Sequence, residues 1–145
     1  MSSEIFLRHA QGAFQLDAAF SFFAPGVTAL FGHSGAGKST IIHAIAGLTK
    51  PDEGKIVIEG ETLFDSAKDI LVPAHARRMG VVFQDSRLFP HLNVQANLFY
   101  GMRRATTKPD AGEIDGIVTL LGLAHLLERK PRTLSGGERS RVALG

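Results

Sequence analysis

The sequence predicts an α/β fold, and two observations carry that prediction. Residues 1–88 mix β-type segments with one helix-type segment, whereas residues 89–145 show helix-type patterns only. A glycine-rich segment at 32–37 stands between an apolar β-type run and a helix-type run. We therefore expect one domain in two parts, divided after residue 88, with a β layer and a glycine-loop core before a helical subdomain.

Four segments of the first part have the composition of strands. Segment 13–22 has apolar side chains at every second position, which predicts a half-buried strand. Segments 27–31 (VTALF) and 79–85 (MGVVFQD) are short and apolar, which predicts strands buried on both faces. Segment 55–60 predicts a further strand.

Helical patterns cover 39–48, 93–102 and 113–129. Ser135 followed three residues later by Glu138 is a capping box, which predicts the start of another helix.

Composition excludes several classes of protein. Apolar residues make up 44% and charged residues 21% of the 145 residues, which argues against disorder. The absence of cysteine excludes disulfides and thiolate metal sites. A net charge of +2 gives no support for a nucleic-acid partner, and we expect none. No secretory signal and no apolar run long enough for a membrane span is visible.

Residues 32–40 fit the phosphate-loop pattern G-x-x-x-x-G-K-[ST]. Its glycines allow backbone N–H groups to point at phosphate oxygens, and the following helix adds its positive end. Lys38 reaches the β- and γ-phosphates and the Ser39 hydroxyl ligates Mg²⁺ in such loops. A flexible Gly/Ser turn is the alternative. The pattern predicts binding of a nucleoside triphosphate through Gly32, His33, Ser34, Gly35, Ala36, Gly37, Lys38, Ser39 and Thr40.

Gln84 stands at the expected carboxyl end of segment 79–85, where α/β sheets bind ligands. Its carbonyl is suited to ligate Mg²⁺ or to orient an attacking water. A surface glutamine without a function is the alternative at this position.

The turn Ser135-Gly136-Gly137-Glu138 is a helix start with two unusual glycines. Glycine in the first helical positions lowers helix stability. Bare backbone N–H groups, however, let a phosphate approach closely, so the turn predicts a second anion site at a helix N-terminus. A well-capped helix without a ligand is the alternative.

These three elements, in this order, resemble the ATPases of the ATP-binding cassette (ABC) family, and the resemblance spans essentially the whole chain. GHSGAGKST matches the Walker A loop, VVFQD the Q-loop and LSGGE the family signature. The resemblance implies an N-terminal antiparallel β layer, ATP and Mg²⁺ as cofactors, and a head-to-tail homodimer with ATP at the interface. In that dimer Ser135 and Gly137 touch the γ-phosphate of the partner's nucleotide, and Gln84 senses the phosphate at its own site.

The resemblance also implies membrane partners. Residues 85–102 correspond to the region that contacts the membrane subunits, and a periplasmic or extracellular binding protein takes part indirectly. The subunit is then peripheral, on the cytoplasmic face of the inner or plasma membrane. Segments such as LFDSAKDILVPAHARRMG are similar to the molybdate importers of the family, which predicts uptake of an oxyanion.

Several alternatives stay open. The stretch FQDxxLFPH is shared with importers of sulfate, iron and sugars. A nucleotide-binding module that does not hydrolyse ATP, or an ABC ATPase of repair or translation without a membrane partner, also fits the motifs. The family stacks an aromatic side chain on adenine, and Phe14 and His9 are both candidates here.

The family pattern continues with an apolar strand ending in Asp-Glu, the Walker B element, and then a histidine. The 145 residues contain neither after the signature. We therefore expect them to correspond to the front part of such an ATPase, to bind ATP and not to hydrolyse it efficiently.

Overall fold

The computed structural model describes residues 2–103 and 109–145. The chain forms two compact units, Met1–Val81 and Val82–Gly145. The division expected after residue 88 lies a few residues to the C-terminal side of the observed one.

A five-stranded antiparallel sheet makes up most of the first unit, in the order β2-β1-β3-β4-β5. Its strands are β1 (Ser2–Gln11), β2 (Phe14–Phe23), β3 (Glu53–Ile58), β4 (Glu61–Asp65) and β5 (Ile70–Leu71). The alternation predicted for segment 13–22 is confirmed, because Leu16 is buried while Gln15 and Asp17 are exposed.

The first helix, α1 (Lys38–Ile45), packs on this sheet. Its buried side chains Ile41 and Ala44 join a core with the strand residues Ile5, Leu7, Leu16, Ile56, Leu63 and Phe64. The helix predicted for 39–48 is thus confirmed, with slightly different ends, and its N-terminus follows the glycine-rich loop directly.

The strands predicted at 27–31 and 79–85 are wrong. Neither segment is a strand, and no sheet pairing of the described residues includes them. The side chains of Val27 and Phe31 are 101% and 96% exposed, so the first segment is not buried either. A strand needs a backbone partner for its N–H and C=O groups, and apolar composition alone does not provide one. Gln84 therefore lies in a bend and not at the end of a strand.

The second unit is helical, as its sequence predicts. It contains α2 (Val94–Leu98), α3 (Ala111–Leu120) and α4 (Gly136–Leu144), with short 3₁₀ turns at Gly101–Arg103, Ala124–Leu126 and Pro131–Thr133. Asn93, Asp110 and Ser135 cap the three α-helices. The core is formed by Val94, Val118, Leu123, Leu126, Leu134 and Val142. In the described parts of the chain, no helix has the length and apolar character that a membrane span requires.

Candidate functional site

The glycine-rich segment 32–37 is an irregular, curled loop that leads into α1. Gly35 and Gly37 have φ angles of 83° and 88°, which L side chains rarely adopt. The Ala36 N–H donates to the His33 carbonyl over 3.2 Å and closes a turn inside the loop. The backbone of segment 32–37 is therefore curled, although the strand expected before it is absent.

Lys38 folds back along this loop. Its Nζ donates to the carbonyl oxygens of Gly32 and His33, at 2.8 and 2.7 Å. The ammonium is thereby held over the start of the loop.

Gly37 packs closely against β2. A Cβ atom at this position would lie 2.8 Å from Leu16 Cδ1 and 2.9 Å from Phe14 Cζ, closer than real Cβ atoms approach. At Gly35, by contrast, a Cβ atom would meet nothing within 4 Å. The sheet thus sets the position of the loop at Gly37, where the loop joins α1.

The first turn of α1 favours an anion. It contains no acidic side chain, and its N–H groups carry the positive end of the helix dipole. The side chains of Ser34 and Ser39 are exposed, whereas Ala36, Lys38 and Thr40 are half-buried. Of the two hydroxyl side chains in this turn, Ser39 is thus more exposed than Thr40.

The two aromatic candidates for adenine stacking have different surroundings. Phe14 is half-buried and its ring lies against Gly37, next to the phosphate loop. His9 is 15% exposed, and its Nδ1 lies 3.3 Å from Asp52 Oδ2. Phe14 therefore contacts the loop at Gly37.

The turn at Ser135 is a complete capping box, as predicted. Glu138 N–H donates to Ser135 Oγ over 3.2 Å, and Ser135 N–H donates to Glu138 Oε2 over 2.6 Å. These bonds, with smaller contributions from Arg129 and Arg141, hold the pKa of the Glu138 carboxyl below its ordinary value of 4.5.

The fold does not require glycine at the two positions inside this capping box. Neither Gly136 nor Gly137 has a positive φ angle, and a Cβ atom on either would meet nothing within 4 Å. Neither backbone strain nor packing among the described residues therefore requires glycine at these two positions.

Gln84 lies beside the start of α4, within the second unit. An open cavity of about 510 Å³ is lined by Gln84, Asp85, Ser86, Arg87, Leu88, Pro131, Gly136, Arg139 and Ser140. The structure thus brings Gln84 and Gly136 to one cavity. The phosphate loop belongs to the first unit.

The motifs of the sequence do not single out the basic residues of this cavity, Arg87 and Arg139. Arg139 Nη1 donates to the Leu134 carbonyl over 2.6 Å, and the guanidinium of Arg87 stacks 3.8 Å from the centre of the Phe83 ring. Arg139 and Ser140 stand three and four residues after Gly136, a helical spacing that the sequence already contained.

In the described part of the chain, no cluster of three or more acidic or histidine side chains is placed to hold a metal.

The sequence model of the ABC transporter family matches residues 16–145. The chain belongs to the ABC transporter family. The expectation drawn from the three motifs is therefore confirmed for the family.

Curated relatives of this ABC chain include two proteins named molybdenum import ATP-binding protein ModC. The protein of Paramagnetospirillum magneticum is 50% identical over 139 residues, which are 96% of this chain and 38% of the relative. The protein of Rhizobium meliloti is 49% identical over 145 residues, which are 100% of this chain and 40% of the relative. The chain thus spans about two fifths of the length of these relatives.

Solved structures confirm the expected fold. The ATP-binding cassette MJ0796, in a dimeric post-hydrolysis state bound to ADP and Pi, matches with a TM-score of 0.75 at 24% identity, over 99% of this chain and 67% of that chain. The protein cbiO1 of Clostridium perfringens, part of the ABC transporter complex cbiONQ, matches with a TM-score of 0.72 at 26% identity, over 98% and 59% of the two chains.

Proposed function

We propose that this chain binds MgATP through residues 32–40, as the nucleotide-binding part of an ABC importer subunit. The geometry of the phosphate loop carries the proposal. Two positive-φ glycines curl the backbone, Lys38 is held over the loop, and the first turn of α1 has no acidic side chain. The ring of Phe14, which contacts Gly37, is our candidate for the adenine contact.

Mg²⁺ fits these residues as an ion bound largely through the nucleotide. Mg²⁺ prefers oxygen ligands and keeps several waters and phosphate oxygens. The exposed hydroxyl of Ser39 supplies one such ligand in the proposal, and the amide oxygen of Gln84 supplies a second or orients the attacking water. The ion would neutralise charge on the phosphates.

The signature turn is proposed to hold the nucleotide of a second copy. Ser135, Gly136, Gly137 and Glu138 would receive the γ-phosphate across a head-to-tail homodimer. The open backbone at the two glycines supports this role, because a phosphate reaches those N–H groups without meeting a side chain.

The membrane subunits of an importer are the proposed partners of residues 85–102. The Asn97 side chain binds the Phe89 backbone near the start of this segment through two hydrogen bonds. Phe89 N–H donates to Asn97 Oδ1 over 2.7 Å, and Asn97 Nδ2 donates to the Phe89 carbonyl over 3.2 Å. The rings of Phe89 and Tyr100 lie 4.2 Å apart and are each 37% exposed, whereas Val94 is fully buried. The segment thus combines ordinary core with an exposed aromatic pair that suits a protein partner.

Molybdate is the proposed cargo, on the strength of the relatives named above. Substrate choice would then lie in the membrane channel and the binding protein, with this subunit at the cytoplasmic face of the membrane.

Two experiments test these proposals. Binding of a fluorescent ATP analogue with Mg²⁺ is expected for the 145-residue chain and is expected to be lost in Lys38→Met; equal binding by both would refute the loop assignment. The cargo is tested by uptake of labelled molybdate and of sulfate in cells that lack their own molybdate ATPase and carry the full-length gene that encodes residues 1–145. Restored sulfate uptake without molybdate uptake would refute molybdate.

A further inference from the structure

Arg77 is a buried cation in the first unit. It follows the 3₁₀ turn Ala74–Ala76 and is 5% exposed. Among the described residues, the other buried polar or charged side chains are Ser3 and Asp65. Arginine is rarely buried without partners, so its contacts indicate what it does.

The guanidinium of Arg77 joins the C-terminal end of α1 to the segment that directly follows β5. Its Nη1 donates to the carbonyl oxygens of Ala44 and Ile45, both at 2.7 Å, and its Nε donates to the Val72 carbonyl at 2.8 Å. The last carbonyls of a helix have no partner within the helix, and Arg77 supplies hydrogen bonds to two of them.

Gly47 makes room for this contact. Its N–H donates to the Ala44 carbonyl at 3.1 Å and the Leu48 N–H donates to the His43 carbonyl at 2.8 Å, which is a Schellman end. Gly47 has φ 76°, and a Cβ atom there would lie 2.7 Å from Arg77 Nε. Glycine is therefore required twice at this position, for its backbone angle and for space.

Stabilisation of the fold does not by itself explain why an arginine occupies position 77. Its Nη2 is buried and has no hydrogen-bond partner among residues 2–103 and 109–145. Burial lowers the pKa of the Arg77 guanidinium below its ordinary value. An apolar side chain of similar size often serves a buried position as well or better, so the charge and the fork of donors need another explanation.

That explanation lies at the other end of the same helix. α1 has eight residues and is therefore about 12 Å long, and a helix this short is not stable by itself. A cation at the C-terminal end of α1 stabilises the helix, because it interacts favourably with the negative end of the helix dipole. Val72 accepts the hydrogen bond from Arg77 Nε and donates its own N–H to the Leu63 carbonyl at 2.9 Å. Because Leu63 belongs to β4, Arg77 is connected to β4 through Val72.

We propose that Arg77 is a positioning residue for nucleotide binding: it anchors the C-terminal end of α1 to the β4–β5 side of the sheet, and thereby holds the phosphate loop at the N-terminal end in its binding geometry. The inference rests on the proposed binding of MgATP by residues 32–40.

The test compares variants at Arg77 with a stability control in the same unit. Arg77→Met removes the charge and the donors at similar length, and Arg77→Lys keeps the charge without the planar fork. Ile56→Val, in β3, shortens a fully buried side chain that the phosphate loop does not include. Affinity for a fluorescent ATP analogue with Mg²⁺ is measured at a temperature where far-UV circular dichroism shows every variant folded.

We expect Arg77→Met to bind about tenfold more weakly than wild type, equal to about 1.4 kcal/mol. Arg77→Lys is expected to lie between the two, and Ile56→Val is expected to bind like wild type despite its lower melting temperature. Amide hydrogen exchange of Ile41, in the first turn, is expected to be faster in Arg77→Met and unchanged in Ile56→Val.

The outcomes separate the two proposals. If wild type binds and both Arg77 variants bind equally well, the positioning role is refuted while the proposed function stands. Ile56→Val and the Arg77 variants are also compared by the loss of affinity that accompanies each degree of lowered melting temperature. If this ratio is the same in all of them, Arg77 acts only through stability, and the inference is refuted. A wild-type chain without affinity for the analogue refutes the proposed function, and the inference with it. Should Arg77→Met not fold, Arg77→Lys gives the same decision.

Discussion

Replacing Gly37 by alanine tests how the sheet sets the position of the phosphate loop. Gly35→Ala is the matched control, because both glycines have nearly the same φ angle, 83° and 88°, within one loop. They differ in surroundings: a new Cβ atom meets nothing near Gly35, but overlaps Leu16 and Phe14 of β2 at Gly37.

The expected loss of unfolding free energy at each position follows from the φ angle and from the overlap of the new Cβ atom. Holding alanine at a left-handed φ angle costs about 1–2 kcal/mol at either glycine. Overlap with a packed core adds about 1–3 kcal/mol at Gly37 only. We therefore expect Gly35→Ala to lower the free energy of unfolding by about 1–2 kcal/mol and Gly37→Ala by about 2–5 kcal/mol.

Urea unfolding of both variants, followed by circular dichroism, measures the difference. A double-mutant cycle with Leu16→Ala identifies its cause. Removing the Leu16 side chain relieves the overlap with Leu16, although not the one with Phe14. The combined cost of Gly37→Ala and Leu16→Ala is therefore expected to be less than the sum by about 0.5–3 kcal/mol.

Equal destabilisation by Gly35→Ala and Gly37→Ala would contradict this reasoning, because it would show that the contact with β2 has no energetic weight. Additive costs in the cycle would show that any extra cost at Gly37 does not come from Leu16.

Three further predictions concern the signature turn and the phosphate loop. Ser135→Ala is expected to destabilise the chain by about 1 kcal/mol in urea unfolding, because the Glu138 N–H loses its cap. Stability from Glu138, whose pKa is lowered on folding, is fully present above its ordinary pKa of 4.5 and is lost as the pH falls through the lowered value. Urea midpoints should therefore fall more steeply with decreasing pH below 4.5 in wild type than in Glu138→Gln. The polypeptide of residues 1–145 is expected to bind ATP but to release no orthophosphate above the level of Lys38→Met.

Each of these predictions has an outcome that would contradict it. An unchanged urea midpoint for Ser135→Ala would show that water replaces the cap without cost. Parallel pH profiles of wild type and Glu138→Gln would remove Glu138 from the acid response. Orthophosphate release that depends on Lys38 would show that these residues hydrolyse ATP.

Features that depend on neighbours in the chain were predicted well. The capping box joins residues three positions apart, so Ser135 and Glu138 were recognisable from spacing alone, and the structure confirms both bonds. The alternation in segment 13–22 likewise needed no partner to be recognised. The roles of the individual site residues in binding stay predictions.

The strands at 27–31 and 79–85 show where local pattern fails. Their β-type composition is suited to a buried strand, but pairing and burial depend on distant segments that a local window does not contain. Conversely, β1 went unrecognised even though it alternates buried Ser3, Ile5 and Leu7 with exposed residues.

The sequence by itself determined the family, the glycine loop with Lys38, and the capped turn with its two glycines, because each depends on residue types at short, fixed spacing. The tertiary structure alone decided that Gly37 is pressed against β2, that Gly136 and Gly137 are open, and that Arg77 holds the end of a helix 32 residues earlier in the chain. Those roles are set by contacts between residues far apart in the chain, and no local pattern records which side chain will be brought to which backbone carbonyl.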